Sequence, residues 1–140
     1  MSTVLWANVL VNGTVQSEAE DRYALFDQTD KLDELCRSLK LPSFESICDS
    51  TDVRFNMDEF ELPDGMESTN DYMALHGVWM ALPEAIRMLD ALLAHIQAKS
   101  VRFGLLTNQH DQVVSELTEV LAFAKAHQGD AAKFNFSIVQ

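Results

Sequence analysis

Val4–Val11 reads VLWANVLV and runs into Asn12-Gly13. The stretch is short, rich in β-branched residues and apolar on both alternating faces, with Asn8 as its polar interruption. Those properties predict a strand buried on both sides. Asn-Gly predicts a tight turn, with a short hairpin return over residues 14–16. At the far end of the chain, Phe134, Phe136 and Ile138 alternate with Asn135, Ser137 and Val139, and a period of two predicts a terminal strand. Helical patterns fill the space between. The simplest packing pairs the N- and C-terminal strands in one small sheet and lays the helices against it. The expected fold is therefore α+β, a helix-rich single domain over residues 1–140.

The clearest helix is the stripe Leu82, Ala85, Ile86, Leu89, Leu92, Leu93 and Ile96, with Pro83 at a first-turn position where its missing N–H costs nothing. A second stripe, Val113, Val114, Leu117, Val120, Leu121 and Ala124, is expected to start at Asn108 and to stop at Gly129. Leu32, Leu35, Cys36 and Leu39 mark a third helix, started by Thr29 or Asp30 and ended near Lys40 because Pro42 disfavours helical geometry at Leu41. Residues 23–26 either add a turn to it or are irregular. Phe44, Ile47 and Cys48 predict a short helix after Ser43. Residues 49–77 lose clear periodicity and read as an acidic, loop-rich segment. Within it Val53, Phe55 and Met57 alternate like an edge strand, residues 70–75 fit one or two helical turns ended by Gly77, and Leu62-Pro63-Asp64-Gly65 is turn chemistry. Residues 101–106 are a strand or a connector.

Charge is the unusual bulk property. The chain of 140 residues carries 22 acids and 10 bases, a formal net charge of −12. Residues 1–75 hold 16 acids against 5 bases, a net of −11, and residues 76–140 hold 6 against 5, a net of −1. The excess peaks at residues 45–71, where Glu45, Asp49, Asp52, Asp58, Glu59, Glu61, Asp64, Glu67 and Asp71 face one base, Arg54. Phosphates and anionic lipid surfaces are bound chiefly through Lys and Arg, so direct nucleic-acid binding and membrane binding are not expected. A cationic partner is. A solvated loop face explains the same charges without any partner.

Cys36 and Cys48 are spaced too widely for a CxxC pair and read as reduced core thiols. No base precedes the first apolar run, and no stretch has the length of a membrane span; a cytoplasmic address is the expectation. The five glycines build neither GxxxxGK[ST] nor GxGxxG, there is no GxSxG, and no cofactor is expected. His76, His95, His110 and His127 form no HExxH or HxH and read as surface or rim histidines. Frames begun at Asp49 and at Asp58 both fail the EF-hand pattern, leaving Asp58, Glu59 and Glu61 as candidates for a non-standard metal site.

The favoured reading is a non-enzymatic module that binds a basic surface on another protein, in the manner of an immunity-type inhibitor of a cationic toxin or of a regulatory subunit. Its candidate contact residues are Glu45, Asp49, Asp52, Asp58, Glu59, Phe60, Glu61, Asp64, Met66, Glu67, Asp71 and Trp79, the apolar members serving as anchors beside the charge. For Trp79 the first reading is a packing staple at a helix entrance, and the interface anchor is the alternative. Two rival readings stand beside it: a small metal-dependent hydrolase working through carboxylates, with or without His76, and a nucleic-acid mimic. Homo-oligomerisation stays open.

Overall fold

The computed structural model describes residues 2–129 and 131–140. Strand β1 (Val4–Val11) turns at Asn12-Gly13, both at positive φ, into β2 (Thr14–Ser17). Helices α1 (Tyr23–Asp27) and α2 (Thr29–Ser38) follow, then a 3₁₀ turn (Phe44–Ile47) and the two-residue β3 (Cys48–Asp49). Helices α3 (Thr51–Asn56) and α4 (Thr69–His76) lead to β4 (Met80–Ala81), to the long helices α5 (Leu82–Lys99) and α6 (His110–Lys125), and to the terminal strand β5 (Lys133–Val139).

The terminal strands pair as expected. β1 and β5 run antiparallel over seven residue pairs, from Val4 opposite Val139 to Leu10 opposite Lys133. β2 borders β1 on one side. The outer edge of β5 is shared by two short pieces: β3 lies parallel to it at Phe136 and Ser137, and β4 antiparallel at Lys133 and Phe134. The sheet is α+β in setting and antiparallel apart from β3.

Register sorts the side chains onto two faces. One face carries Leu5, Ala7 and Val9 opposite Ile138, Phe136 and Phe134. It is covered by α1, α2, α5, α6 and the 3₁₀ turn, whose Leu25, Leu32, Phe44, Leu89, Leu92 and Leu117 are fully buried in the main core. Buried Arg22 ties β1 to this layer: its peptide bonds to Leu5 in both directions, and its guanidinium grips Glu18 and Glu119. The Glu116 carboxylate of α6 accepts the first amides of α1, Ala24 and Leu25, at 3.2 and 3.0 Å, which are orphan donors at any helix start.

The other face carries Trp6 and Asn8 opposite Ser137 and Asn135, and it is covered by α3 and α4. Asn8 and Asn135 are buried there. The Asn8 amide donates to Asn135 Oδ1 at 3.0 Å and Ser137 Oγ at 2.8 Å, and its oxygen accepts from Ser17 Oγ at 2.5 Å. Asn135 in turn donates to the Val78 carbonyl at 2.9 Å. The polar interruption of the first strand is thus the centre of a satisfied network.

Several expectations need correction. The segment 49–77 is less loop-rich than expected: besides α4, where helical turns over 70–75 are expected, it holds α3, and its irregular chain is residues 57–68 with Ser50 and Gly77. Val53, Phe55 and Met57 do not form an edge strand, because the edge of β5 offers β3 two residues and the Asp49 carboxylate then accepts the Thr51 amide at 2.8 Å, an Asx turn that starts α3. Residues 101–106 are a connector. Helix α5 begins one residue before Pro83, and α6 begins at His110 rather than Asn108, whose side chain instead accepts amides from Phe103 and His110.

Candidate functional site

Seven of the acids, Asp52, Asp58, Glu59, Glu61, Asp64, Glu67 and Asp71, belong to one lobe made of α3, residues 57–68 and α4. The lobe has its own spine of aromatic rings. Phe55 meets Phe60 with centroids 5.7 Å apart, Phe60 meets Tyr72 at 4.8 Å, and Tyr72 meets His76 at 4.8 Å. The Arg54 guanidinium lies 5.7 Å above the Phe60 ring, so the single base of the segment is spent on a cation–π contact. Polar ties close the loop: Thr69 donates to Asp52 at 2.9 Å, and the Asp71 carboxylate accepts the Glu67 amide at 2.9 Å while Ser68 caps α4.

Asp58, Glu59, Glu61, Asp64, Glu67 and Asp71 are exposed, and Asp52 is half-buried. Among the described residues none of them pairs with a lysine, arginine or histidine within 4 Å; the ion pairs found lie at Arg22, Lys31, Arg37 and Lys125. Phe60, Met66 and Trp79 are half-buried. The Trp79 indole donates to the Met73 carbonyl at 2.8 Å, which holds the ring as a staple over α4. The exposed apolar surface at and beside the lobe is Met57, 61% exposed, which the run of methionines beside the acids already suggests, together with Leu75 at 71% and Val78 at 43%, which the sequence does not mark. A helix ending in Leu-His-Gly gives no periodic signal that its last leucine points outward.

Two of the candidate acids stand apart from this lobe. Asp49 is 3% exposed and cannot meet a partner. Its second carboxylate oxygen accepts the Val78 amide at 2.8 Å, which pulls residues 77–78 against β3. That closeness requires glycine: a Cβ on Gly77 would stand 2.6 Å from the Met73 carbonyl oxygen and 2.7 Å from Asp49. Glu45 is exposed but lies across the sheet at the corner of α1 and α2. There a cleft of about 420 Å³ is lined by Leu5, Phe26, Asp27, Thr29, Asp30, Glu45, Cys48 and Ile138.

The metal candidates Asp58, Glu59 and Glu61 are not drawn together. Among the described residues no group of three His, Cys, Asp or Glu side chains is placed to hold a metal ion. The histidines are also dispersed: His76 packs at a tilt against Tyr72, His110 bonds the Val101 carbonyl, and His127 bonds the Phe123 carbonyl and Gln16. Both cysteines are free. Burial first, and then the nearby Asp33 charge, pushes the Cys36 thiol up to about 11. Burial, followed by Glu45, Asp33 and Asp49, pushes Cys48 up to about 12. Neither supplies a thiolate near neutrality. No helix among the described residues is long and apolar enough to cross a membrane. Comparison of the chain with protein-family models, with curated proteins and with solved structures finds no match.

Proposed function

We propose that the chain is a protein-interaction module that engages a basic surface on a partner through the α3–α4 lobe. The observation that carries this reading is the lobe's seven carboxylates without a base in ion-pair range among the described residues, on a frame stiffened by a run of tilted and edge-on ring contacts. Charges left unneutralised on a compact lobe repel one another, and a cationic partner relieves that repulsion. Leu75, Val78 and Met57 supply apolar contact beside the charge, which steering alone does not provide. Among the described residues no three acidic, His or Cys side chains are placed around a common metal ion, so the hydrolase reading draws no support from the geometry.

The test compares the native chain with the variant Asp58→Asn, Glu59→Gln, Glu61→Gln, Asp64→Asn as baits in the same cell lysate. The native bait should retain a basic protein at low salt and release it at roughly ten-fold higher salt, where screening has shortened to a few ångströms. The variant should retain little of it. Equal retention of the same proteins by both baits, or a partner held regardless of salt, overturns the proposal.

A further inference from the structure

The connector between α5 and α6 carries a built fingertip. Phe103 is fully buried and roots it; the Gln109 amide returns to the Phe103 carbonyl at 2.8 Å, and Asn108 Oδ1 accepts the Phe103 amide at 2.8 Å. Above that base the chain turns at Gly104, at φ +111°, where a Cβ would stand 2.2 Å from the Thr107 carbonyl oxygen. The Arg102 guanidinium braces the turn by donating to the Leu105 carbonyl at 2.7 Å. Leu105 is left 92% exposed and Leu106 fully exposed, more than any other large apolar side chain among the described residues. Apolar side chains scattered singly over a surface are ordinary. Two adjacent leucines at the head of a hydrogen-bonded turn are a presented contact, and a turn already held in shape loses little freedom on docking.

The surroundings of the fingertip are basic. Residues 91–110 are the longest stretch of the chain without an acid, and they carry Lys99 and Arg102. Neither forms an ion pair among the described residues. Lys31, which reaches Glu34 at 3.7 Å, joins Arg102 along the groove beside Leu105. The fingertip is therefore apolar with a positive collar. The α3–α4 lobe is its inverse: Met57, Leu75 and Val78 are exposed at and beside seven carboxylates that no base neutralises among the described residues. The two cannot meet within one chain, because the fingertip joins the helices over one face of the sheet and the lobe covers the other. An anionic bilayer matches the fingertip but not the chain behind it, whose net charge is −12. We propose that the chain associates head to tail, Leu105 and Leu106 of one copy seating on the α3–α4 lobe of the next, with Lys99 and Arg102 against its carboxylates. At physiological salt charges more than about 8 Å apart are largely screened, so the opposite charges at the contact outweigh the like net charge behind it. The inference rests on reading the lobe as a surface that faces cations, and it names a second copy as one of its partners.

A contact between two different surfaces leaves a free fingertip and a free lobe at its ends, and that gives a complementation test by analytical ultracentrifugation at about 0.15 M salt. The native chain should rise in mass beyond a dimer between about 10 µM and about 1 mM, as a small, weak contact would. The finger variant Leu105→Ser, Leu106→Ser changes only exposed side chains and should stay monomeric. The lobe variant Asp58→Asn, Glu59→Gln, Glu61→Gln, Asp64→Asn should stay monomeric too. An equimolar mixture of the two variants should form a pair and stop there, since each keeps the surface the other lacks. A native chain that remains monomeric, a mixture that forms no pair, or a lobe variant that associates as the native chain does, by finger-to-finger contact, overturns the inference. So does a monomeric native chain that sediments with phosphatidylserine vesicles through its leucines, which assigns the fingertip to a lipid surface. The finger variant keeps its lobe and separates this inference from the reading it rests on. Salt-sensitive retention of a basic protein by that variant, with no self-association of the native chain, overturns the head-to-tail contact alone; pairing in the mixture with no basic protein retained overturns the foreign partner alone.

Discussion

The two faces of the sheet are covered by opposite means. Under α5 and α6 the face is hydrocarbon, with Phe134 and Phe136 at its centre, and the polar ties of Arg22 and Glu116 to this layer run between β1, α1 and α6. Under α3 and α4 the face is a hydrogen-bonded set of small polar groups, Asn8, Ser17, Asn135 and Ser137, roofed by the Met73 sulfur. Packing on the first face is non-directional and strong in proportion to area. On the second it is weaker but directional, since each group fits only with its partners in place. The acidic lobe therefore rests on the part of the sheet that specifies position most sharply.

The largest expected effect lies on the hydrocarbon face. Phe136 is fully buried and touches the rings of Phe44 and Phe134 at centroid distances of 5.5 and 5.2 Å. Phe136→Ala should cost about 4 kcal/mol by urea unfolding, since it loses transfer energy and leaves a cavity. On the polar face, Asn8→Ala strips partners from Asn135, Ser137 and Ser17 together, and should cost about 2 kcal/mol. A double-mutant cycle of Asn8 with Asn135 should show coupling above about 0.5 kcal/mol. Additive loss at Asn8 and Asn135 would remove the distinction between the faces.

That distinction also separates what the residues reveal from what they conceal. The two terminal strands and the stripes of α2, α5 and α6 were legible because one buried face imposes a period on each. The alternation of Asn135 and Ser137 with phenylalanine marks the strand but says nothing of how its polar half is covered, and only the register with Asn8 shows why polar residues are tolerated there. The helix α3 was hidden because its start depends on an Asx turn from Asp49, a tertiary commitment without local period. Asp49 illustrates the limit for the site as well. In the sequence it is one acid among nine, and only its two backbone partners, Thr51 and Val78, mark it as structural.

Not every acid is idle, and Asp33 gives the contrast inside the charged half. Its carboxylate accepts the Ser43 hydroxyl and the Glu45 amide, which anchors the 3₁₀ turn to α2. The Ser43 bond foremost, opposed by some burial and helped by the Glu45 amide and Arg37, holds Asp33 below the usual aspartate range. A lowered native value means that its contribution is complete above the unfolded value near ~3.9 and is lost as pH falls through the lower native one. Asp33→Asn should therefore cost about 1 kcal/mol at neutral pH, and should flatten the loss of stability on acidification below about pH 4. A variant whose acid limb matches that of the native chain would show that the turn is held by something else.

The smallest effect belongs to the lobe's free acids. Asp58, Glu59, Glu61 and Asp64 touch no base within 4 Å among the described residues, so their energetic role in the isolated chain is mutual repulsion through solvent. Repulsion of that kind is screened by salt. The native chain should therefore gain a few degrees of melting temperature as sodium chloride rises, the reverse of what exposed ion pairs would give. The variant Asp58→Asn, Glu59→Gln, Glu61→Gln, Asp64→Asn should melt no lower than the native chain and should respond less to salt. A native chain that loses stability with salt, or a variant that loses it at low salt, would mean these carboxylates hold the lobe together. The α3–α4 surface would then resemble Asp33 rather than a face held open for a cation.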